Sequence, residues 1–175
     1  IRTTGNVDIQ AGLGAGGVTD GGTAYTRGIY RTGGATNNVL HIAAHELDMH
    51  VFDNGDAEGG FIGRGTHADN TEAGWLDGTL QAKGASPVIY NASVAGTLGI
   101  NMTFLDDVML VQADADQGPV TLLSWGSIND TVGQLGDSEL DVLGSSIDLE
   151  AYEGIGAAAR IETQSADIDR IFARN

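Results

Sequence analysis

The stretch INMTFLDDVMLVQADADQGPVTL, residues 100–122, contains one full period of the pattern that decides the fold. It begins with the apolar-polar-apolar triplet Ile100-Asn101-Met102, continues with Val108-Met109-Leu110, and returns to the first kind at Val120-Thr121-Leu122. Similar triplets follow towards the C-terminal end at intervals of about twenty residues. Two or three short strands per repeat of this length are typical of a parallel β-helix or related solenoid. The sequence therefore predicts an all-β fold of that kind.

Successive side chains of a strand point to opposite faces, so the apolar members of each triplet are expected inside and the acids outside. Stacking of the repeats then predicts two inward columns. The first contains Val108, Ile128, Ile147 and Ile168, and the second contains Ile100, Val120, Leu140 and Ile161. One repeat cannot bury its apolar face alone, so both ends of the stack are expected to expose unpaired strand edges. The expected partners are copies of the same chain or flanking coils of the same parent chain.

The regular repeats cover residues 99–175, whereas residues 1–98 keep the rhythm only loosely and include a glycine-rich insertion from Asp53 to Trp75. Because no composition break is sharp enough for a domain boundary, we expect residues 1–175 to form one β-helical domain or a fragment of a longer solenoid. The segment from Val39 to Phe52 has apolar residues at both helical and alternating spacings, and the alternation favours two strands. The first residue is Ile rather than Met, as expected for a piece of a longer product.

The composition excludes several classes of function. The 175 residues include 24 acidic and 8 basic ones, and the net charge of −16 opposes binding to nucleic acid and to anionic membrane surfaces. The absence of cysteine excludes disulfides and thiolate chemistry. No apolar run approaches the length of a membrane span, so membrane insertion is not expected.

Several phrases in the second half carry a resemblance to a known family. They are Gly118-Pro119-Val120-Thr121-Leu122, Ser146-Ile147-Asp148-Leu149-Glu150-Ala151, Gly154-Ile155-Gly156-Ala157 and Arg160-Ile161-Glu162-Thr163. With them, residues 99–175 resemble the coils of filamentous-haemagglutinin-like giant bacterial surface proteins. The resemblance implies a right-handed parallel β-helix in a secreted or cell-surface stalk or adhesin. It supplies no catalytic residues.

Oxygen-rich turns are the candidate cation sites. Asp53, Asp56 and Glu58 place carboxylates around a glycine, as calcium loops require, and Asp114 and Asp116 form a shorter candidate. Calcium is therefore the candidate cofactor, and a solvated, screened surface is the alternative.

Two further sets of charged and histidine residues could hold a cation, and each has a simpler structural explanation. Asp148 and Asp169 are expected in neighbouring outward positions, where like charges need a counter-ion such as Arg170 or a bound cation. The densest set of potential metal ligands is His41, His45, Glu46, Asp48 and His50. The spacing of its last two histidines exceeds that of H-E-x-x-H, so we expect ordinary surface histidines.

Aromatic residues provide a second possible chemistry. The candidate platforms for stacking on sugars are Tyr25, Tyr30, Trp75 and Trp125, with Arg27 and Arg31 beside the first two. Paired carboxylates on a β-helix serve polysaccharide hydrolases and lyases, but such pairs arise easily in so acidic a chain. We therefore expect no enzyme activity.

The sequence favours a non-enzymatic extracellular structural or adhesive segment, part of a surface filament, stalk or adhesin. One alternative is a carbohydrate-binding or carbohydrate-active β-helix whose partner is a cell-surface glycan. Another is a calcium-stabilised assembly protein. Clustering of exposed aromatic residues beside paired carboxylates would favour the first alternative, whereas their dispersal or burial would favour the structural role.

Overall fold

The computed structural model describes residues 1, 3–11, 19–20, 23–24, 28–29, 42–52, 60–63, 80–83, 87–97, 99–115, 117–131, 140–157 and 160–173. Within these ranges the chain forms strands, turns and bends but no helix, which confirms the predicted all-β class. Accordingly, no helix in the described part has the length and apolar character needed to cross a membrane.

The strands, in chain order, are β1 Asn6–Ala11, β2 Thr19–Asp20, β3 Thr23–Ala24, β4 Gly28–Ile29, β5 Ile42–Ala43, β6 Glu46–Val51, β7 Phe61–Ile62, β8 Leu80–Lys83, β9 Val88–Val94, β10 Gly99–Phe104, β11 Val108–Asp114, β12 Val120–Ser124, β13 Ser127–Asp130, β14 Val142–Ala151, β15 Gly154–Ile155 and β16 Thr163–Ala173.

Fourteen of these strands belong to one sheet, in which every pairing is parallel. β2 and β3 form a separate antiparallel pair. The large sheet curls like half of a cylinder. Along β6 and β9 every second side chain is buried and the intervening ones are half-buried, as expected when one face of a strand packs against a core.

The parallel pairings form three series, and each returns to the same register position from one repeat to the next. The first joins Ile9, Met49, Ala92, Ala113, Val142 and Thr163. The second joins Ile29, Ile62, Ile100, Val120, Ile147 and Ile168. The third joins Val88, Val108, Ile128 and Ile155. β14 and β16 are long enough to take part in both the first and the second series.

The second series shows how the core is built. Ile100, Val120 and Ile147 are partners in neighbouring strands, and all three are almost completely buried. Burying one such side chain contributes roughly 1.5–3 kcal/mol relative to leaving it exposed. Since the partners come from different repeats, the core exists only when the repeats lie against each other.

Three of the predicted neighbouring pairs are register partners, but the columns are wrong in how those pairs are joined. The three pairs are Val108–Ile128, Ile100–Val120 and Ile147–Ile168. Ile147 pairs with Val120 rather than following Ile128, and Leu140 lies outside the strands, just before β14.

Val120 lies 20 positions after Ile100, whereas Ile147 lies 27 positions after Val120. Nine additional residues fall between β13 and β14, since Val142 lies 14 positions after Ile128 whereas Ala113 lies 5 positions after Val108. Two fewer residues then separate Val142 from Ile147 than separate Ala113 from Val120, so the net difference is seven. The two predicted columns are about seven residues apart in the sequence. A net shift of seven residues therefore places Ile147, predicted for the first column, beside Val120 of the second column.

The first half of the chain joins the same sheet. The segment from Val39 to Phe52 contains β5 and β6, which confirms two strands rather than a helix within its described residues. Part of the predicted glycine-rich insertion, Phe61–Ile62, is also a strand and pairs with β10. The glycine run from Gly12 to Gly17 lies outside the described residues.

Glycine is required where one repeat passes close to the backbone of the next. Gly99 has a φ of +82°, and a Cβ placed there would lie 2.0 Å from the carbonyl oxygen of Pro119. Gly63 has the same φ, and its Cβ would lie 1.9 Å from the carbonyl oxygen of Asn101. Only a residue without a side chain fits both the left-handed backbone and the close approach.

Tyr90 is a polar exception inside the apolar core. Its side chain is fully buried and packs edge-to-face on Phe104, with ring centroids 5.0 Å apart. In the described part of the protein its hydroxyl has no hydrogen-bond partner, and burial raises its pKa. A buried hydroxyl without a partner costs roughly 1–3 kcal/mol.

We therefore expect Tyr90→Phe to stabilise the protein by about 1 kcal/mol, because it removes the oxygen and keeps the ring. Equilibrium denaturant unfolding of the two proteins measures the difference. Tyr90→Leu is the control, since it also removes the edge-to-face contact and should destabilise. A loss of stability in Tyr90→Phe would show that the hydroxyl makes a favourable contact.

Candidate functional site

Three carboxyl groups meet where the third series of strands gives way to the first. Carboxylate oxygens of Asp130, Asp141 and Glu162 lie within 4.8 Å of one another, the one group of three or more acidic, histidine or cysteine ligands found in the described ranges. Asp130 and Asp141 are each only 4% exposed, and Glu162 is half-buried. We call these three residues the carboxylate cluster.

The register of the strands explains why these residues meet. Asp130 ends β13 and pairs with Leu110, which in turn pairs with Tyr90, so it occupies a position that is apolar in earlier repeats. Asp141 and Glu162 directly precede the partners Val142 and Thr163 and therefore occupy equivalent positions in two successive repeats.

Backbone hydrogen bonds tie the cluster to the sheet. The Glu162 amide donates to Oδ2 of Asp141 over 2.7 Å, and the Asp141 amide donates to the Glu162 carbonyl over 3.0 Å. On the other side, the Ala113 amide donates to the Asp141 carbonyl over 2.7 Å. Arg160 Nε lies 3.0 Å from Oε1 of Glu162, and the Arg160 side chain is 70% exposed. The arginine thus approaches the cluster from solvent.

The surroundings favour a protonated Asp141. Burial raises its pKa to about 7, the charge of Asp130 adds to the rise, and the hydrogen bond from the Glu162 amide opposes it. The proton of the cluster is therefore expected on Asp141. Chemically, three such carboxyl groups can hold a hard cation such as calcium through oxygen, or share a proton.

Of the residues predicted to bind calcium, only Asp114 lies within the described part of the chain. Asp53, Asp56, Glu58 and Asp116 lie outside the described residues. Asp114 is the last residue of β11, half-buried and in register with Ser93 and Leu143, and it is not a member of the carboxylate cluster.

The predicted pairing of Asp148 with Asp169 is wrong. The register shifts after Ile147, so Asp148 pairs with Arg170 and Asp169 falls at the irregularity. The two residues predicted to be like-charged neighbours are therefore not register partners.

The histidine-rich segment forms a polar ladder on the outer face. The Asn91 side-chain amide donates to Asp48 over 3.1 Å, and Nδ1 of His50 lies 2.9 Å from the Ser93 hydroxyl. Glu46 accepts from the Asn6 side-chain amide. His45 is exposed, and His41 lies outside the described residues. Within the described part these side chains pair with neighbours along the sheet and do not converge on one point.

One of the predicted sugar platforms forms a stacked pair. Trp125 is 56% exposed and stacks on Tyr152, with ring centroids 5.2 Å apart and planes 9° from parallel. Trp125 follows β12 and Tyr152 follows β14, and the Tyr152 amide donates to the Ser124 carbonyl. Tyr25, Tyr30, Trp75, Arg27 and Arg31 lie outside the described residues. The stack covers one face of each ring, which leaves less aromatic surface for a sugar.

Comparison with known proteins adds no relative to this picture. No protein-family model matches the chain, and searches of characterised proteins and of solved structures likewise find no match.

The stacked pair is expected to link two repeats, because aromatic pairs contribute roughly 0.5–1.5 kcal/mol beyond their burial. We predict a coupling energy of that size between Trp125 and Tyr152 in a double-mutant cycle of alanine variants, measured by denaturant unfolding. A coupling energy of zero would mean that the rings meet without stabilising the fold.

The raised pKa of Asp141 makes the free energy of unfolding depend on pH. Its pKa in the folded protein, about 7, lies above the ordinary aspartate value of 3.8. The stabilisation from the protonated form is therefore complete below about pH 4 and is lost as the pH rises through 7. We expect Asp141→Asn to reduce the difference in the free energy of unfolding between low and high pH by about 1–2 kcal/mol. The variant should be the more stable protein at pH 8.

Denaturant unfolding at pH 5 and pH 8 provides the measurement. Asp8→Asn, which neutralises an exposed carboxylate on β1, is the control and should keep the wild-type pH dependence. Equal pH dependence in wild type and Asp141→Asn would contradict the assignment of the proton to this cluster.

Proposed function

We propose that the chain forms a right-handed parallel β-helix and serves as a non-enzymatic structural segment of an extracellular filament, stalk or adhesin. The observation that carries the proposal is the second series of strands, whose partners run from Ile29 to Ile168 through six successive positions. The right hand follows from the strong preference of parallel crossovers in one sheet.

A solenoid of this kind acts mechanically. Each repeat contacts only its neighbours, so the backbone ladders make a stiff rod and the length can change by whole repeats. The polar ladder on β1, β6 and β9 faces outward with side-chain hydrogen bonds between repeats, such as Asn91 to Asp48. This arrangement supports a scaffold whose outer face meets water or a partner.

The carboxylate cluster supports a structural role over polysaccharide hydrolysis. Hydrolases need one carboxyl group as the acid and another as the base or nucleophile, with the sugar between them. Here Asp130 and Asp141 are 4% exposed and pack inside the fold. A polymer has no access to both groups at once.

The last strand supports the proposed partners. Ile171 pairs with the buried Leu149 and so continues a core position, yet it is 51% exposed, and Phe172 beside it is 42% exposed. At the opposite end Ile42 is 4% exposed, and residues Ile1 and Thr3 exchange backbone hydrogen bonds with Ala43. The outermost strand at that end is β1, and among the described strands it pairs with β6 alone, as expected for an exposed edge. We propose that a copy of the chain or a flanking coil of the parent chain adds a strand to β16.

The extracellular location and the filamentous-haemagglutinin-like kinship are proposals that rest on the sequence. The acidic, cysteine-free composition and the phrases of residues 99–175 support them.

Two alternative functions each have one supporting observation. Glycan binding is supported by the exposed Trp125–Tyr152 pair, and calcium-stabilised assembly by the carboxylate cluster. An identical melting temperature with calcium and with chelator would remove the calcium alternative.

Deletion of one whole repeat tests the solenoid. Removing residues 100–119 joins Gly99 to Val120, which then takes the place of Ile100 beside Ile62, while Ile128 replaces Val108 beside Val88. Since each repeat is an equivalent layer, we predict a folded β-protein with one cooperative unfolding transition and reduced stability.

Removing residues 105–114 is the matched control, because it deletes β11 and leaves a repeat without its third-series strand. This variant should lose cooperative unfolding. Circular dichroism during thermal unfolding distinguishes the two proteins. If the whole-repeat deletion unfolds the chain as completely as the control, the repeats are not interchangeable layers and the proposal fails.

A further inference from the structure

A group of aromatic and acidic side chains lies on the outer face of β12, β14 and β16. Ser124 and Ala151 are register partners with fully buried side chains, so the residues next to them in each strand face outward. We call the group the aromatic–acidic patch. Its members are Leu123 in β12 and Trp125 directly after it, Glu150 in β14, Tyr152 and Glu153 directly after it, and Phe172 in β16.

The register makes these residues neighbours on one surface. Leu123 pairs with Glu150, and Glu150 pairs with Phe172, so an acid lies between two apolar residues of adjacent strands. Two positions further along the first two strands, Trp125 stacks on Tyr152 with ring centroids 5.2 Å apart. Adjacent strands are roughly 4.8 Å apart, and alternate residues of one strand are roughly 7 Å apart. The stack and the acid therefore adjoin each other.

The patch is open to solvent, unlike the same face one strand earlier. Trp125 is 56% exposed and Phe172 is 42% exposed. Thr103, which occupies on β10 the outward position that Leu123 occupies on β12, is only 5% exposed. Exposed aromatic residues that gather on one face mark an interaction surface.

The charge of the patch determines which partner fits it. Glu150 and Glu153 flank the stack along the chain, and Asp148 is the preceding outward residue of β14. Among the described residues the basic ones nearest in the register are Arg170, the partner of Asp148, and Lys83, on β8 two strands away from β12. Acids therefore outnumber bases here, as they do in the whole chain, whose net charge is −16. A second copy or a nucleic acid would add like charge, whereas a basic partner is attracted.

Arginine matches both components of the patch. Its planar guanidinium stacks on aromatic faces and donates two parallel hydrogen bonds to a carboxylate, whereas the ammonium of lysine is a compact, strongly hydrated point charge. Tryptophan is the aromatic residue that attracts such a cation most strongly. The Trp125–Tyr152 stack covers one face of the indole, and the exposed remainder lies next to Glu150 in the register.

We propose that the aromatic–acidic patch docks an arginine-rich segment of a partner protein, with guanidinium groups stacked on Trp125 and Phe172 and paired with Glu150 and Glu153. This partner is distinct from the strand proposed to add to β16, because it binds the outer face of the sheet rather than its edge. The inference depends on the register of β12, β14 and β16 and goes beyond the structural role proposed above.

Peptide titration of the full chain tests the docking. The probe is a short fluorescein-labelled peptide of alternating glycine and arginine, and two comparison peptides replace every arginine by lysine or by citrulline, its neutral analogue. Fluorescence anisotropy at physiological ionic strength measures the affinities. We expect the arginine peptide to bind about threefold or more tightly than the lysine peptide, and the citrulline peptide not to bind.

Matched variants separate the patch from the overall negative charge. Trp125→Ala should weaken binding of the arginine peptide by roughly tenfold, and Phe172→Ala should weaken it by about threefold. Phe52→Ala removes an equally exposed phenylalanine after β6 and should leave the affinity unchanged. Glu153→Gln should weaken binding, whereas Asp8→Asn, which also removes one exposed charge, should not.

The two matched pairs keep the test decisive if Trp125→Ala fails to fold. Absence of binding, equal affinity for the arginine and citrulline peptides, or equal effects of the patch and control variants would overturn the proposal. Binding of the neutral oligosaccharide cellohexaose, lost in Trp125→Ala and without binding of the arginine peptide, would overturn it in favour of a glycan. Because the repeat deletion reports on the stacking of repeats and the titration on one outer face, failure of the docking is distinguishable from failure of the proposed fold.

Discussion

The fold depends on the burial of apolar side chains between successive repeats. Among the described strands none closes a core by itself, because the buried partners of Val120, for example, are Ile100 on one side and Ile147 on the other. Backbone hydrogen bonds between parallel strands set the spacing of the layers at roughly 4.8 Å, and the apolar columns decide which residues face inward. Glycines at positions such as Gly99 are a consequence of the same constraint, since neighbouring backbones approach within contact distance.

The carboxylate cluster is the main departure from this scheme. Asp130 takes a register position that Leu110 and Tyr90 fill with apolar side chains in earlier repeats, and it meets Asp141 and Glu162 there. A charged group in such a place is costly unless it is paired or protonated. The raised pKa of Asp141 is the consequence of that cost.

The alternation of apolar and polar residues and the repeat of about twenty residues were sufficient to predict an all-β chain with parallel strands. They were insufficient to join the columns, because the net seven additional residues between Val120 and Ile147 equal the sequence spacing between the two predicted columns. For the same reason the sequence did not reveal the cluster. The equivalent positions of Asp141 and Glu162 were visible 21 residues apart, but the approach of Asp130 follows from the pairing of both β13 and β14 with β11, which the twenty-residue period does not reveal. The stacking of Tyr152 on Trp125 was not predicted, because the two residues are 27 positions apart, like Val120 and Ile147, rather than twenty.

The absence of cysteine in the chain allows a direct measurement of the stacking. Thr121 and Asp148 are outward-facing register partners, whereas a strict twenty-residue period would pair Thr121 with Asp141. Neighbouring positions on adjacent strands lie within the range of Cα separations that a disulfide accepts. Oxidation of Thr121→Cys/Asp148→Cys should therefore form an intramolecular disulfide, detected by mass spectrometry after proteolysis, and Thr121→Cys/Asp141→Cys should not. Cross-linking of the second pair in preference to the first would contradict the register on which this account is built.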